Sequence, residues 1–215
     1  MTRSAIPALA AALLLAAPAT AQDSPSTPRD AGAVAQLLHA HALFDLGLAR
    51  KDPLATLAAA RLAAGIAATD SDRSPSPPGD PVPATYPTAE VMFTAAKALA
   101  QEDDLAKDLA VRTEAEVARI PTLTVIRTSR GIGAGQTHVW QIPFFAEAQS
   151  ELGLLGDGTA NLDLAVTGLD DTPLCLDTAP TDRALCAFRL TENATLTITV
   201  TNRSEAAATY SLLTN

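Results

Sequence analysis

From Thr195 to Thr201 every odd position is threonine, and Leu196, Ile198 and Val200 lie between them. Successive side chains of a strand point to opposite faces, so this run predicts a strand with one buried aliphatic face and one wet face. Leu162, Leu164 and Val166 repeat the pattern, as do Ala208, Tyr210 and Leu212. Upstream, Leu123 and Val125 start another alternating run, and Trp140, Ile142 and Phe144 turn toward one face, with Leu152 and Leu154 continuing the series. Gly131, Gly133 and Gly135 supply the bend after the first of these strands, and Gly156-Asp157-Gly158 the turn before Leu162. Short alternating strands separated by turn residues predict a sandwich or barrel.

The period changes in the first half. Val34, Leu37, Leu38, His41, Phe44 and Leu48 recur at steps of three and four, one stripe of an amphipathic helix. Thr27, Pro28 and Asp30 read as its start, a capping hydroxyl with proline in the first turn. Lys51-Asp52-Pro53 ends it, and Asp52 caps a second helix carrying Leu54, Leu57, Leu62 and Ile66, so that the two form an antiparallel hairpin. Residues 70–87 then hold six prolines, which predicts a surface loop or semi-rigid spacer. A further helical region spans 88–118, with Val91, Ala95, Leu99, Leu105 and Leu109 as its apolar positions. Leu48, Ala49, Asp52, Leu54, Ala55 and Ala59 recur 51 positions later as Leu99, Ala100, Asp103, Leu105, Ala106 and Ala110. Each hairpin looks somewhat like a tetratricopeptide unit, without the full aromatic and glycine pattern of that repeat.

The chain begins with Arg3, an apolar run over 5–17 and the small residues Ala19-Thr20-Ala21, the layout of a secretory signal cleaved after Ala21. This makes 1–21 a signal peptide, 22–118 a helical region and 119–215 a β-sandwich, an α+β chain placed in the periplasm or secreted. In an oxidising compartment the two cysteines, Cys175 and Cys186, a close pair flanked by strand-like segments, most simply form a disulfide. A formal charge of −9 repels phosphate backbones and anionic lipid, so nucleic acid is a poor partner. The apolar leader is too short to span a bilayer as a helix, so no membrane insertion is expected.

Trp140-x-Ile142-x-Phe144, Leu162-Asp163-Leu164, Leu196 to Val200 and the closing Tyr210-Ser211-Leu212 together resemble the bacterial pre-peptidase C-terminal domain. That family is a small jelly-roll-like sandwich appended to secreted enzymes, and the resemblance covers about residues 119–215. Two departures stand out: Asn161 occupies a position that is usually acidic, and Asn193-Ala194-Thr195 replaces a Gly-Thr-Tyr entry. Some members bind calcium near this region, which the resemblance would place at Asp157, Asn161 and Asp163, with Asp170 and Asp171 as additions. Calcium takes six to eight oxygens, so a polar turn with a strand-edge carboxylate is the other reading.

Catalytic chemistry finds little support. Nucleophilic catalysis needs a nucleophile beside an oriented base, and here both cysteines are assigned to a disulfide and His138 is the only base candidate among the strands. The Gly-Ile-Gly-Ala-Gly run at 131–135 precedes a strand and has the wrong spacing for a dinucleotide loop. His39 and His41 diverge by about 200° on a helix, so they cannot share a metal. His41 belongs to the apolar stripe with Asp45 as its hydrogen-bond partner, and His39 faces solvent. No catalytic residues and no obligatory cofactor are assigned. The residues read as an exported, non-catalytic module that docks a partner protein or glycan at the cell envelope. The alternative is an accessory hydrolase using carboxylates in a cleft between the halves.

Overall fold

The computed structural model describes residues 31–84, 86–101, 103–117 and 122–215. The expected signal peptide and the Thr27–Asp30 helix start lie outside the described residues. The fold is α+β, with four helices ahead of two mostly antiparallel sheets. The helices are α1 (Ala33–Arg50), α2 (Pro53–Ala64), α3 (Ala89–Ala100) and α4 (Asp104–Val117). The strands are β1 (Ile66–Asp70), β2 (Leu123–Ile132), β3 (Thr137–Phe144), β4 (Gln149–Gly156), β5 (Leu162–Thr167), β6 (Pro173–Asp177), β7 (Arg183–Arg189), β8 (Ala194–Asn202) and β9 (Ala208–Thr214).

One sheet runs β1-β2-β9-β4-β7 and the other β3-β8-β5-β6. From β2 onward the chain changes sheet at every step except β5 to β6. The alternation behaves as the sequence predicts. Trp140, Ile142, Leu152, Leu154, Leu162, Leu164, Ile198, Tyr210 and Leu212 fill the space between the sheets. On the larger sheet the intervening residues are also buried, because the helices cover its outer face. Val125, Leu155 and Leu213 pack there with Val34, Leu38 and Phe44. The molecule therefore has three layers, helices on sheet on sheet.

The contact between helices and sheet centres on β4. Gly153 lies under α1, and a Cβ there would sit 2.6 Å from Val34 Cγ1 and 2.9 Å from Leu38 Cδ1. Two residues earlier, on the same face, the buried carboxylate of Glu151 caps α1. It accepts from the backbone N–H groups of Gly32 (2.7 Å), Val34 (3.0 Å) and Ala35 (3.1 Å). Gly32, the capping residue in the chain, has no side chain of its own to offer.

The helical stripes need correction. In α1 the predicted positions are buried except Leu48, which is exposed. In α2, Asp52 and Pro53 form the expected start, but Leu54 and Leu62 face solvent, and the buried face is Thr56, Leu57, Ala59, Ala60 and Ala63. Ile66 opens β1 instead of continuing the helix. In α3 and α4, Val91, Leu105 and Leu109 are exposed, whereas Met92, Phe93, Ala96, Ala106 and Ala110 are buried. Helices meeting through alanine approach closely, which leaves the longer leucines outside. The internal echo has a physical counterpart: Asp52 and Asp103 both cap a second helix, and Ala59 and Ala110 are both buried.

The proline-rich stretch is a strap more than a spacer. It leaves β1, which pairs in parallel with β2, and crosses the open side between the two sheets. Ser76 bridges Val139 of β3, and Pro81 bridges Arg130 of β2. Gly131 N–H donates to the Asp80 carbonyl at 2.9 Å. On the opposite side of the sandwich, Cys175 of β6 and Cys186 of β7 form a disulfide across the sheets, with Cα atoms 5.8 Å apart. Closing so short a loop contributes on the order of 3 kcal/mol. Strap and disulfide thus close the two open sides of the sandwich.

Candidate ligand-binding groove

The aromatic side chains are distributed unevenly between core and surface. Trp140, Tyr210, Phe44, Phe93 and Phe144 are buried, while Phe145 is 74% exposed. The cause is local. Alternation along β3 sends Phe144 inward, and Phe145 leaves the strand on the other side. The loop after it is fixed: Ala146 N–H donates to Asn193 Oδ1 at 2.8 Å and Glu147 N–H to the Leu190 carbonyl at 3.0 Å. Phe145 therefore presents its ring from a held backbone.

The ring borders a groove of about 570 Å³, within the range of small-molecule sites. Its apolar floor comes from Ile126, Ile142, Pro143 and Ala148. Gln149, Thr214 and Asn215 add polar groups from the ends of β4 and β9, and the strap adds Ser71 and Arg73. Arg73 Nε donates to Ser71 Oγ at 3.2 Å, and Arg73 Nη2 donates to Thr214 Oγ1 at 3.2 Å. Burial lowers the Arg73 pKa from its ordinary value. Behind it, the buried Arg130 guanidinium donates to the carbonyls of Ser129 (2.9 Å) and Arg73 (2.5 Å), so the strap is hung from β2.

Of the other clefts, two bring histidine and carboxylate side chains together. One, of about 600 Å³, lies between the strap and the far end of the sandwich and reaches Asp80, Gln136, His138 and Asp157. His138 is buried, and its Nδ1 lies 2.9 Å from Tyr210 Oη, which also accepts from Trp140 Nε1 at 3.1 Å. Burial, and then the Arg130 charge, lower the His138 pKa. The ring thus belongs to a core hydrogen-bond network, where burial disfavours its charged form.

The other cleft, about 140 Å³, lies between the helices and β7 and is lined by His41, Asp45, Tyr86, Asp182 and Arg183. His41 is buried as the stripe predicts, and His39 is exposed. Its expected partner is elsewhere, however: Asp45 pairs with Arg183, and His41 Nε2 is buried without a hydrogen bond. Burial is the main reason that the His41 pKa falls to about 4, and Arg183 adds to the effect while Asp45 opposes it.

Of the calcium candidates, Asp157 and Asp163 are engaged by protein partners, whereas the Asn161 side-chain Oδ1 is buried without a hydrogen bond among the described residues. Asp157 Oδ1 accepts from the Thr159 N–H and hydroxyl, and Oδ2 from those of Thr209. Burial pushes the Asp157 carboxyl up, but these four hydrogen bonds outweigh it and hold the pKa below the usual value. Asp163 pairs with Arg203 at 2.5 Å, and the Asn161 N–H donates to Ser204 Oγ at 2.8 Å. Asp170 and Asp171 lie exposed beyond β5. Among the described residues, no group of three or more His, Cys, Asp or Glu side chains is arranged to hold a metal ion.

No family model matches this chain, and no curated protein matches it. Solved structures do. A pre-peptidase C-terminal domain is among them. That domain of a collagenase from Bacillus anthracis aligns with 41% of this chain and 89% of its own, at 12% identity and a TM-score of 0.35. A periplasmic inhibitor of g-type lysozyme from Aeromonas hydrophila aligns over 42% of this chain and 84% of its own, at 13% identity and a TM-score of 0.31. A carbohydrate-binding module of a lichenase from Cellvibrio mixtus, solved with cellotriose, covers 41% and 76%, at 9% identity and a TM-score of 0.28.

Sequence reasoning missed the groove. Its one legible signal was the Phe144-Phe145 pair, because a strand that buries one of two adjacent phenylalanines must expose the other. Nothing local marked Arg73, which reaches the groove only because the strap folds back over the sandwich.

Proposed function

We propose that this protein is a non-catalytic binding module whose ligand is a glycan seated in the Phe145 groove. The observation that carries the reading is the exposed, backbone-fixed Phe145 ring beside a row of side-chain amides, hydroxyls and a guanidinium. A pyranose ring has C–H faces that stack on an aromatic ring, and an equatorial belt of hydroxyls that pair with such groups. The site needs no bond-making machinery and is open enough for a chain of sugars to pass through.

The hydrolase alternative fits the geometry less well. Of the clefts between helices and sheet, the one holding carboxylates is smaller than the ordinary range for ligands and its Asp45 is already paired with Arg183, while the larger, about 420 Å³, is lined by no carboxylate. We also propose that residues 1–21 direct export with cleavage after Ala21, and that the module acts in the periplasm or outside the cell. The disulfide supports this reading, because such bonds persist in oxidising compartments. No described helix is long and apolar enough to cross a membrane.

Phe145→Ala provides the test. Pull-down on insoluble polysaccharides followed by affinity electrophoresis with the retained glycan should show binding weakened about tenfold or more, the loss of one aromatic contact. Because the ring is 74% exposed, stability should change by no more than about 0.5 kcal/mol. Unchanged retention of the variant would remove the groove from the reading. Capture of one stoichiometric protein and no glycan would replace the glycan with a protein partner.

A further inference from the structure

We propose that the sugar in the Phe145 groove carries a carboxylate, as in a uronic acid, and that Arg73 receives it. This rests on the glycan reading above and narrows it to one class of sugar. The chain holds 24 acidic against 15 basic Lys and Arg residues, so a guanidinium without a carboxylate partner stands out. Arg61, Arg112, Arg127, Arg183 and Arg203 all have one. Among the described residues, Arg50, Arg73, Arg130 and Arg189 have no carboxylate within ion-pair distance; Arg50 and Arg189 are exposed, whereas Arg73 is half-buried and Arg130 buried.

The remaining geometry defines the ligand. A guanidinium has five N–H donors in a planar fork. Arg73 uses Nε on Ser71 and one Nη2 hydrogen on Thr214. Nη1 has no partner among the described residues, so the Nη1–Nη2 end of the fork remains available on the groove side. A planar carboxylate matches that end with two parallel hydrogen bonds.

Arg130 strengthens the site from behind. It is 93% buried by its 7% exposure, it lies in the adjoining cleft that shares Ser71 and Ile126, and its Nε lacks a partner. The half-buried Arg73 and the buried Arg130 thus place two cations without ion-pair partners on the strap side of the groove. Of the carboxylates nearby, Asp70 is already paired with Arg127 and the exposed Asp72 forms no ion pair among the described residues, and desolvation of Arg73 points to a cation that gains from a counter-ion. Because the whole protein repels anions at long range, binding should favour short oligomers over polyanions at low salt.

The experiment is calorimetric titration of the full chain with short oligomers of galacturonate, glucuronate and mannuronate, each paired with its methyl ester. The ester keeps the sugar and removes the charge. At least one acid should bind about tenfold tighter than its ester, as a charge-assisted bidentate pair predicts. Arg73→Gln should erase that difference by weakening the acid far more than the ester, and Arg73→Lys should restore part of it. Equal binding of acids and esters by the unaltered protein overturns the carboxylate while leaving a neutral glycan in the groove. If Phe145→Ala then weakens binding, the glycan reading survives alone. Binding of no member of the panel, with neutral oligosaccharides also silent, overturns both.

Discussion

Glu151→Ala is expected to lower the stability of the whole protein by about 3 kcal/mol, measured by urea unfolding at neutral pH. The carboxylate is buried and accepts three backbone N–H bonds at the start of α1. Those donors have no intrahelical partners, and they carry the positive end of the helix dipole. Alanine would leave all three unsatisfied in the joint between helices and sheet. Glu151→Gln retains an acceptor but loses the charge, so it should cost about 1 kcal/mol. Because the helices cover one face of the larger sheet, a single cooperative transition should move as a unit. A variant as stable as the parent, or a separate early loss of helix with the sandwich intact, would show that this cap does not join the layers.

The second large effect is on acid stability. The His41 pKa is about 4 in the folded protein against an ordinary 6.5. The unfolded chain therefore takes up a proton, as pH falls from about 6.5 to 4, that the folded protein refuses. Stability is fully present above the unfolded value and is lost as pH falls toward the folded one. Integrated over that window, the loss is about 3 kcal/mol. His138 adds in the same direction, since its pKa is also depressed. His41→Gln should flatten the dependence of the unfolding midpoint between pH 6.5 and 4. Equal slopes for parent and variant would show that His41 is not the group responsible.

The two halves differ in how much of this the sequence disclosed. The strands were legible because a period of two has one reading when one face is oily and the other polar. Thr195 to Thr201 could be assigned face by face, and Cys175 and Cys186 could be paired because they are the chain's two cysteines and an export signal implies an oxidising compartment. The helices were less legible because alanine is ambiguous. In α2 and α4 the leucines suggested the buried stripe, yet Leu54, Leu105 and Leu109 are outside and alanines make the contact. Glu151 looked like one acid among 24, because its partners are more than a hundred positions away. The strap was hidden for a related reason: prolines announce the lack of helix, but they do not announce that the stretch hydrogen-bonds to β2 and β3. Asp45 seemed the natural partner of His41 one turn away, until Arg183 arrived from another layer.

A titration followed by two-dimensional amide and methyl NMR on the full chain tests the placement of the ligand most directly. With a bound oligosaccharide, the largest shifts should fall on Phe145, Arg73, Gln149, Ile126 and Asn215, with Arg73 side-chain signals moving more for an acidic sugar than for its ester. Shifts centred instead on His138 and Gln136, or on the exposed leucines of α4, would contradict the account.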